Sequence, residues 1–256
     1  MAMSDLEPPD DAETGSLPAL EAPEDQLISI TRETLSDGSI LARIIAEAPV
    51  DMKFMSETEL AASQAKFMAA HPAGEDLWLF GYGSLMWNPV IDFAERRVAT
   101  IYGFHRAYCI WLLLGRGSPA HPGLMLALDR GGSCAGLAYR IPAHLLEHEM
   151  PLLWRREMAG YTYRAQWVTA HSADGPVRAL TFVVDRRSPR YASKLSDDEI
   201  ASRVATASGI LGSCTSYLKD TLETLQSLGL KDQRLSRIAT LVAARKAQRA
   251  SVPVEG

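Results

Sequence analysis

Residues 97–141 contain four short apolar runs: Arg-Val-Ala-Thr-Ile-Tyr-Gly (97–103), Arg-Ala-Tyr-Cys-Ile-Trp-Leu-Leu-Leu (106–114), Gly-Leu-Met-Leu-Ala-Leu-Asp (123–129) and Ser-Cys-Ala-Gly-Leu-Ala-Tyr-Arg-Ile (133–141). Runs of this length rich in branched and aromatic residues predict strands, and the last three are separated by Gly-Arg-Gly-Ser-Pro and Arg-Gly-Gly-Ser, which is turn chemistry. The block therefore predicts a meander of close strands. Working outward, Leu77–Phe80 predicts a further buried strand, and residues 161–170 and 177–185 flank an Asp-Gly-Pro turn at 174–176. Helical spacing occupies the flanks. Two helices are expected within 26–72, one around Leu152, Leu153 and Trp154 with Gly160 as its stop, and three more over 197–211, 213–228 and 232–249. Ser196-Asp-Asp-Glu199 is a capping box for the first of these three. Strands grouped in the middle, with helices around and after them, predict an α+β fold.

Composition narrows the class. The chain has 256 residues, 47% of them hydrophobic, and a formal net charge of −5, enough for one sizeable domain with extensions. Residues 1–25 hold several prolines and acids and no Lys or Arg, so a disordered acidic tail is expected there. A helical extension over 26–75 and a main domain over 76–250 complete the predicted organisation. No apolar stretch approaches a membrane span and no signal-peptide pattern opens the chain, which makes the cytoplasm the default compartment. Three scattered cysteines, Cys109, Cys134 and Cys214, give neither a disulfide framework nor a zinc ribbon. The acidic balance argues against nucleic acid, and the basic last helix, with Arg234, Arg237 and Arg245, carries an opposing apolar stripe of Leu235, Ile238, Leu241 and Val242, as a solvated face does.

The chemistry concentrates in two segments. Trp78-Leu-Phe-Gly-Tyr-Gly-Ser-Leu-Met-Trp87 ends a predicted strand in a glycine-bracketed loop, with Gly81 and Gly83 expected to allow positive φ. Peptide N–H groups between Gly81 and Met86 can then converge on an anion. The same spacing also suits a plain turn between two buried pieces. Met86 stands where a dinucleotide fingerprint needs its third glycine, no Gly-Lys-Ser/Thr ending makes a Walker loop, and Ser84 lacks the Gly-x-Ser-x-Gly of a nucleophile elbow. Downstream, Arg155-Arg-Glu-Met-Ala-Gly-Tyr161 places Glu157 at the end of an apolar helical stretch. Partial burial there would raise its pKa toward that of a base near neutrality, whereas a surface site would pair it with an arginine.

Phe-Gly-Tyr-Gly-Ser-Leu-Met-Trp-Asn-Pro, followed by Gly-Phe-His-Arg-Ala-Tyr-Cys (103–109), Gly-Leu-Ala-Tyr-Arg-Ile-Pro (136–142) and Leu-Trp-Arg-Arg-Glu-Met (153–158), closely resembles the ChaC-like, glutathione-specific γ-glutamylcyclotransferases. The resemblance runs from about Asp76 to about Leu228, more weakly beyond, and leaves the acidic N-terminus unaccounted for. It implies a compact mixed-sheet barrel and no metal or cofactor. It further implies a γ-glutamyl-binding loop of Gly81, Tyr82, Gly83, Ser84, Leu85 and Met86, and Glu157 as the single general acid/base. Tyr161 matches a family tyrosine beside the substrate, and Arg106, with Arg116 in a glycine turn, is a further candidate to hold a carboxylate. The implied reaction is cyclisation of the γ-glutamyl group of glutathione to 5-oxoproline, a lyase-type amide cleavage. Two other readings stay open: a cyclotransferase for other γ-glutamyl amines or amino acids, and a non-catalytic module that binds γ-glutamyl compounds or a protein partner.

One competing pattern lies just upstream. His144-Leu-Leu-Glu147-His148 fits an inverted zinc-protease signature, two histidines four apart on one helix. Against it, Pro151 is expected to kink or end that helix, and a third ligand is not evident. An amphipathic surface helix with Leu145 and Leu146 turned inward is the expected alternative.

Overall fold

The computed structural model describes residues 27–251, so the acidic tail lies outside the described residues. Five strands form a closed barrel in the order β1-β3-β2-β4-β5: β1 Leu77–Gly81, β2 Glu95–Leu112, β3 Gly123–Ile141, β4 Tyr163–Ser172 and β5 Gly175–Val184. Antiparallel ladders join neighbours along the list, and parallel pairing of Trp78 and Leu79 with Ala179 and Leu180 closes the ring. The α+β barrel expected from the sequence is the fold observed.

The meander is built from longer pieces than the sequence suggests. The four runs of residues 97–141 are two strands of 18 and 19 residues, paired from Glu95↔Arg140 to Leu112↔Gly123. Gly131 and Gly132, read as a turn, take φ of 97° and 69° inside β3. Between Tyr102↔Ser133 and Phe104↔Arg130 two residues oppose one, so the glycines form a bulge that bends the ladder without ending it. The bend lets one hairpin wrap the barrel.

The helices are α1 Arg32–Ser36, α2 Ser39–Ala46, α3 Glu57–Met68, α4 Leu146–Met158, α5 Asp197–Thr206, α6 Cys214–Ser227 and α7 Gln233–Ala250. The N-terminal extension thus holds three helices where two were expected. Thr31 and Ser56 open α1 and α3 with capping boxes, as Ser196 opens α5. The last of these stops at Thr206 instead of 211, because Ser208–Gly209 and Gly212–Ser213 pair as a tiny hairpin before α6. Pro151 does not end α4, which continues to Met158. Only the first turn or so of the helix precedes this proline, so a single backbone bond near the N-terminal end is forfeited. Among the described residues no helix is long and apolar enough to cross a membrane.

One core joins these layers. Leu60 of α3 packs in the same buried cluster as Leu77, Leu126 and Phe182 of the barrel, Trp154 of α4 and Leu218 of α6. The indole of Trp154 donates to Ser63 Oγ at 2.8 Å, which ties the extension to the helix that carries Glu157.

Candidate active site

Strand β1 runs out at Gly81, and the chain turns through a single 3₁₀ turn, Ser84–Met86. Neither loop glycine has positive φ: Gly83 sits at φ −129°, and Gly81 is likewise outside the left-handed set. The expectation of left-handed glycines is therefore corrected. What requires glycine here is proximity. A Cβ on Gly81 would lie 2.9 Å from Leu85 Cβ, and one on Gly83 would lie 2.6 Å from the Tyr217 hydroxyl. The turn closes through Met86 N–H to Gly83 O at 2.8 Å and Asn88 N–H to Ser84 O at 2.8 Å. The first N–H groups of a helical turn have no partner inside it, and that of Ser84 bonds the Tyr217 hydroxyl.

Beside this loop a cavity of about 330 Å³ opens, lined by Tyr82, Gly83, Ser84 and Leu85 of the loop, by Arg156 and Glu157 of α4, and by Arg116, Tyr163, Arg190 and Tyr217 among others. Among the described residues lining it, Glu157 is the only carboxylate, and no histidine or cysteine appears. Its side chain retains 12% of its exposure, and Arg156 Nε lies 3.1 Å from Oε1. Burial pushes the Glu157 pKa above the usual glutamate value, and Arg156, by charge and hydrogen bond, only partly offsets it. The Arg156 guanidinium also donates to Asn88 O at 2.5 Å and Ser84 Oγ at 3.1 Å. One buried cation thus couples the glycine loop to the carboxylate.

Two further guanidiniums face the cavity from neutral partners. Arg116 donates to Ser213 O and Ser216 Oγ, each at 2.9 Å, and lies 5.5 Å from the Tyr217 ring centroid. Arg190 donates to the Gly160 carbonyl and to Thr162 Oγ1 just past α4. Burial draws both pKa values down, yet a guanidinium stays charged under all ordinary conditions. With Arg155, which also lines the cavity but is paired with Glu57, four arginines stand against one carboxylate and leave the cavity electropositive. Trp87, which also lines it, has its indole N–H buried without a partner.

The sequence candidates fall into two groups. Tyr82, Gly83, Ser84, Leu85, Glu157 and Arg116 meet at the cavity, while Gly81 and Met86 lie beneath it. Arg106 does not reach it: its guanidinium donates to Tyr82 O at 2.6 Å and Ala135 O at 2.7 Å and pairs with Asp232 at 2.7 Å, which fixes the loop from behind. Tyr161 is 40% exposed, and its hydroxyl donates to Glu59 at 3.1 Å instead of facing the cavity. The register of β2 and the positive φ of Tyr161, 51°, set these directions, and neither is visible in a motif. Arg190, Tyr163 and Tyr217 were missed because they reach the cavity from distant elements. His144, Glu147 and His148 are all exposed, with His144 in a 3₁₀ turn ahead of α4. Among the described residues no group of three or more His, Cys, Asp or Glu is arranged to hold a metal.

A family model described as ChaC-like protein matches residues 77–245. The glutathione-specific gamma-glutamylcyclotransferase of Escherichia coli (strain K12) is 43% identical over 188 residues, covering 73% of this chain and 81% of that protein. Glutathione-specific gamma-glutamylcyclotransferase 1 of Homo sapiens is 29% identical over 173 residues, 65% of this chain and 78% of its own. The crystal structure of the selenomethionine-labelled yeast gamma-glutamyl cyclotransferase specific to glutathione superposes with a TM-score of 0.62 at 20% identity, covering 68% of this chain and 98% of that one, and shows a shared fold.

Proposed function

Since that family model spans well over half of it, the chain belongs to the ChaC-like family, and we propose that it degrades glutathione by cyclising the γ-glutamyl group to 5-oxoproline and releasing cysteinylglycine. It is a γ-glutamylcyclotransferase, the activity named for its relatives in Escherichia coli and Homo sapiens. In this reaction the α-amine attacks the side-chain carbonyl of its own residue. A C–N bond of the five-membered lactam forms, the amide bond to cysteine breaks, and the departing nitrogen takes a proton. The substrate brings its own nucleophile, so the protein has to orient it and move the proton. Orientation of this kind is worth roughly 7–11 kcal/mol when the reacting atoms are held in line.

The observation that carries the assignment of roles is that Glu157 is the only carboxylate lining the cavity among the described residues. In this reading it takes a proton from the α-ammonium, whose ordinary pKa is about 8, and returns one to the leaving nitrogen. A carboxylate pushed up by burial is the better base for that exchange. The glycine loop beside the cavity and the surplus of guanidinium groups suit a substrate with two carboxylates and one ammonium. The test is direct. Purified protein incubated with glutathione is expected to yield 5-oxoproline, and Glu157→Gln to lose roughly 10²–10⁴ in kcat with its melting behaviour retained. A variant keeping more than about a hundredth of the wild-type kcat would contradict the general-base role.

A further inference from the structure

The cavity has a second wall of different chemistry. Ile28, Ile30, Leu41, Ile44 and Phe54 line it from the N-terminal extension, and all five are half-buried. They precede the family match, which begins at residue 77, so this wall is not part of the shared barrel. It is nevertheless fastened to the site. Ile28 N–H donates to Ile210 O at 2.8 Å, Asn88 Nδ2 to Ile30 O at 2.9 Å, and Met55 N–H to Ala159 O at 2.8 Å. Asn88 follows the glycine loop and Ala159 follows Glu157 by two residues, so the wall is held in register with both.

Glutathione is charged at each end, with an amino-acid head on the glutamyl residue and a carboxylate on the glycine. Charged groups laid against hydrocarbon lose hydration without recompense. Only the cysteine side chain, the branch between the two ends, can meet such a wall favourably. Five branched or aromatic side chains exceed what one CH₂–SH can cover, and about 330 Å³ lies within the size range of small-molecule pockets. Resting on the cyclotransferase reading above, we propose that residues 28–54 form a subsite for the cysteine sulfur and an apolar group attached to it, so that S-alkyl and S-aryl thioethers of glutathione are substrates. The same bond is made and the same bond broken. The thioether is untouched, and the leaving amine is the S-substituted cysteinylglycine.

The experiment compares S-methyl-, S-butyl- and S-hexylglutathione with the full chain, reading 5-oxoproline by chromatography. Binding of the same ligands to the Glu157→Gln protein by calorimetry repeats the comparison without turnover. KM and Kd are expected to fall at least about tenfold from S-methyl to S-hexyl, since each well-buried methylene is worth up to about fourfold. Leu41→Asp and Ile44→Asp should remove that gain, and Leu41→Ala and Ile44→Ala should halve it or more in proteins whose folding is checked by melting. Exclusion of the S-hexyl compound in both assays would overturn the proposal, as would a gain that persists in both aspartate variants. Failure of wild-type protein to form 5-oxoproline from glutathione contradicts the cyclotransferase reading instead, and the calorimetric series still decides whether the subsite exists.

Discussion

At the residue scale, the pair Arg156–Glu157 is the centre of the site. Burial raises the glutamate and the adjacent guanidinium lowers it, and burial is the larger effect. A base must be ionised, so kcat/KM should fall as pH drops through a pKa above the ordinary glutamate range. Arg156→Met removes the lowering influence and should move this acidic limb to higher pH; an unmoved or lowered limb in the pH profile would exclude the coupling. Gly83 offers an independent check. Gly83→Ala places a methyl 2.6 Å from the Tyr217 hydroxyl but 3.9 Å from its ring carbon Cζ, so it should cost about 1–3 kcal/mol, most of it recovered in Gly83→Ala with Tyr217→Phe. Thermal melting of the three proteins tests this. The burial of Glu157 was legible in the apolar run Leu152–Trp154 before it and Gly160 after it. Of the cations around it, Arg116 stood out in its glycine turn, whereas Arg190 did not, because it approaches from a distant loop and a lone arginine there gives no sign of the direction it points.

At the element scale, the extension is latched by one buried ion pair. Glu149 of α4 is 1% exposed and takes both guanidinium nitrogens of Arg32 at 2.6 and 2.7 Å, with a third bond from Asp92 N–H at 3.1 Å. Arg32→Met leaves this carboxylate buried with one weak partner. A loss toward the lower end of roughly 3–5 kcal/mol is expected, since Arg32 itself is partly exposed. Limited proteolysis should then cut the chain between α2 and α3 faster than in the wild type, and equal rates would show that the extension's other contacts hold it without this pair. The exposed His144 and His148 lead to another expectation: EDTA should leave activity unchanged, and elemental analysis should find no stoichiometric zinc. Element identity was legible from apolar spacing and caps, as Ser196 and Glu199 illustrate. Element length was not, because Gly131-Gly132 is equally good chemistry for a turn and for a bulge, and only the partner strand decides.

At the scale of the whole molecule, α3 shares its core with the barrel and with α4. The stack of Phe67 on Trp167, 4.7 Å between centroids, extends that contact to β4. Residues 27–251 should therefore unfold together. Near-ultraviolet circular dichroism and calorimetry should give one coincident transition, and a separate early transition for the extension would show it to be an independent unit. The α+β class followed from the order of apolar runs. Closure of the barrel followed only from the family resemblance, because the pairing of β1 with β5 joins segments far apart in the chain and leaves no local trace. That closure bears on how the protein behaves in concentrated solution. The ring is seamed unevenly: β4 pairs with β5 along its whole length but with β2 only at Ala170–Ser172, so the stretch Tyr163–Thr169 of β4 has a ladder on one side alone. A second copy or an extended peptide can add a strand only along such a single-sided stretch, and self-association elsewhere around the ring must use helix or loop surfaces.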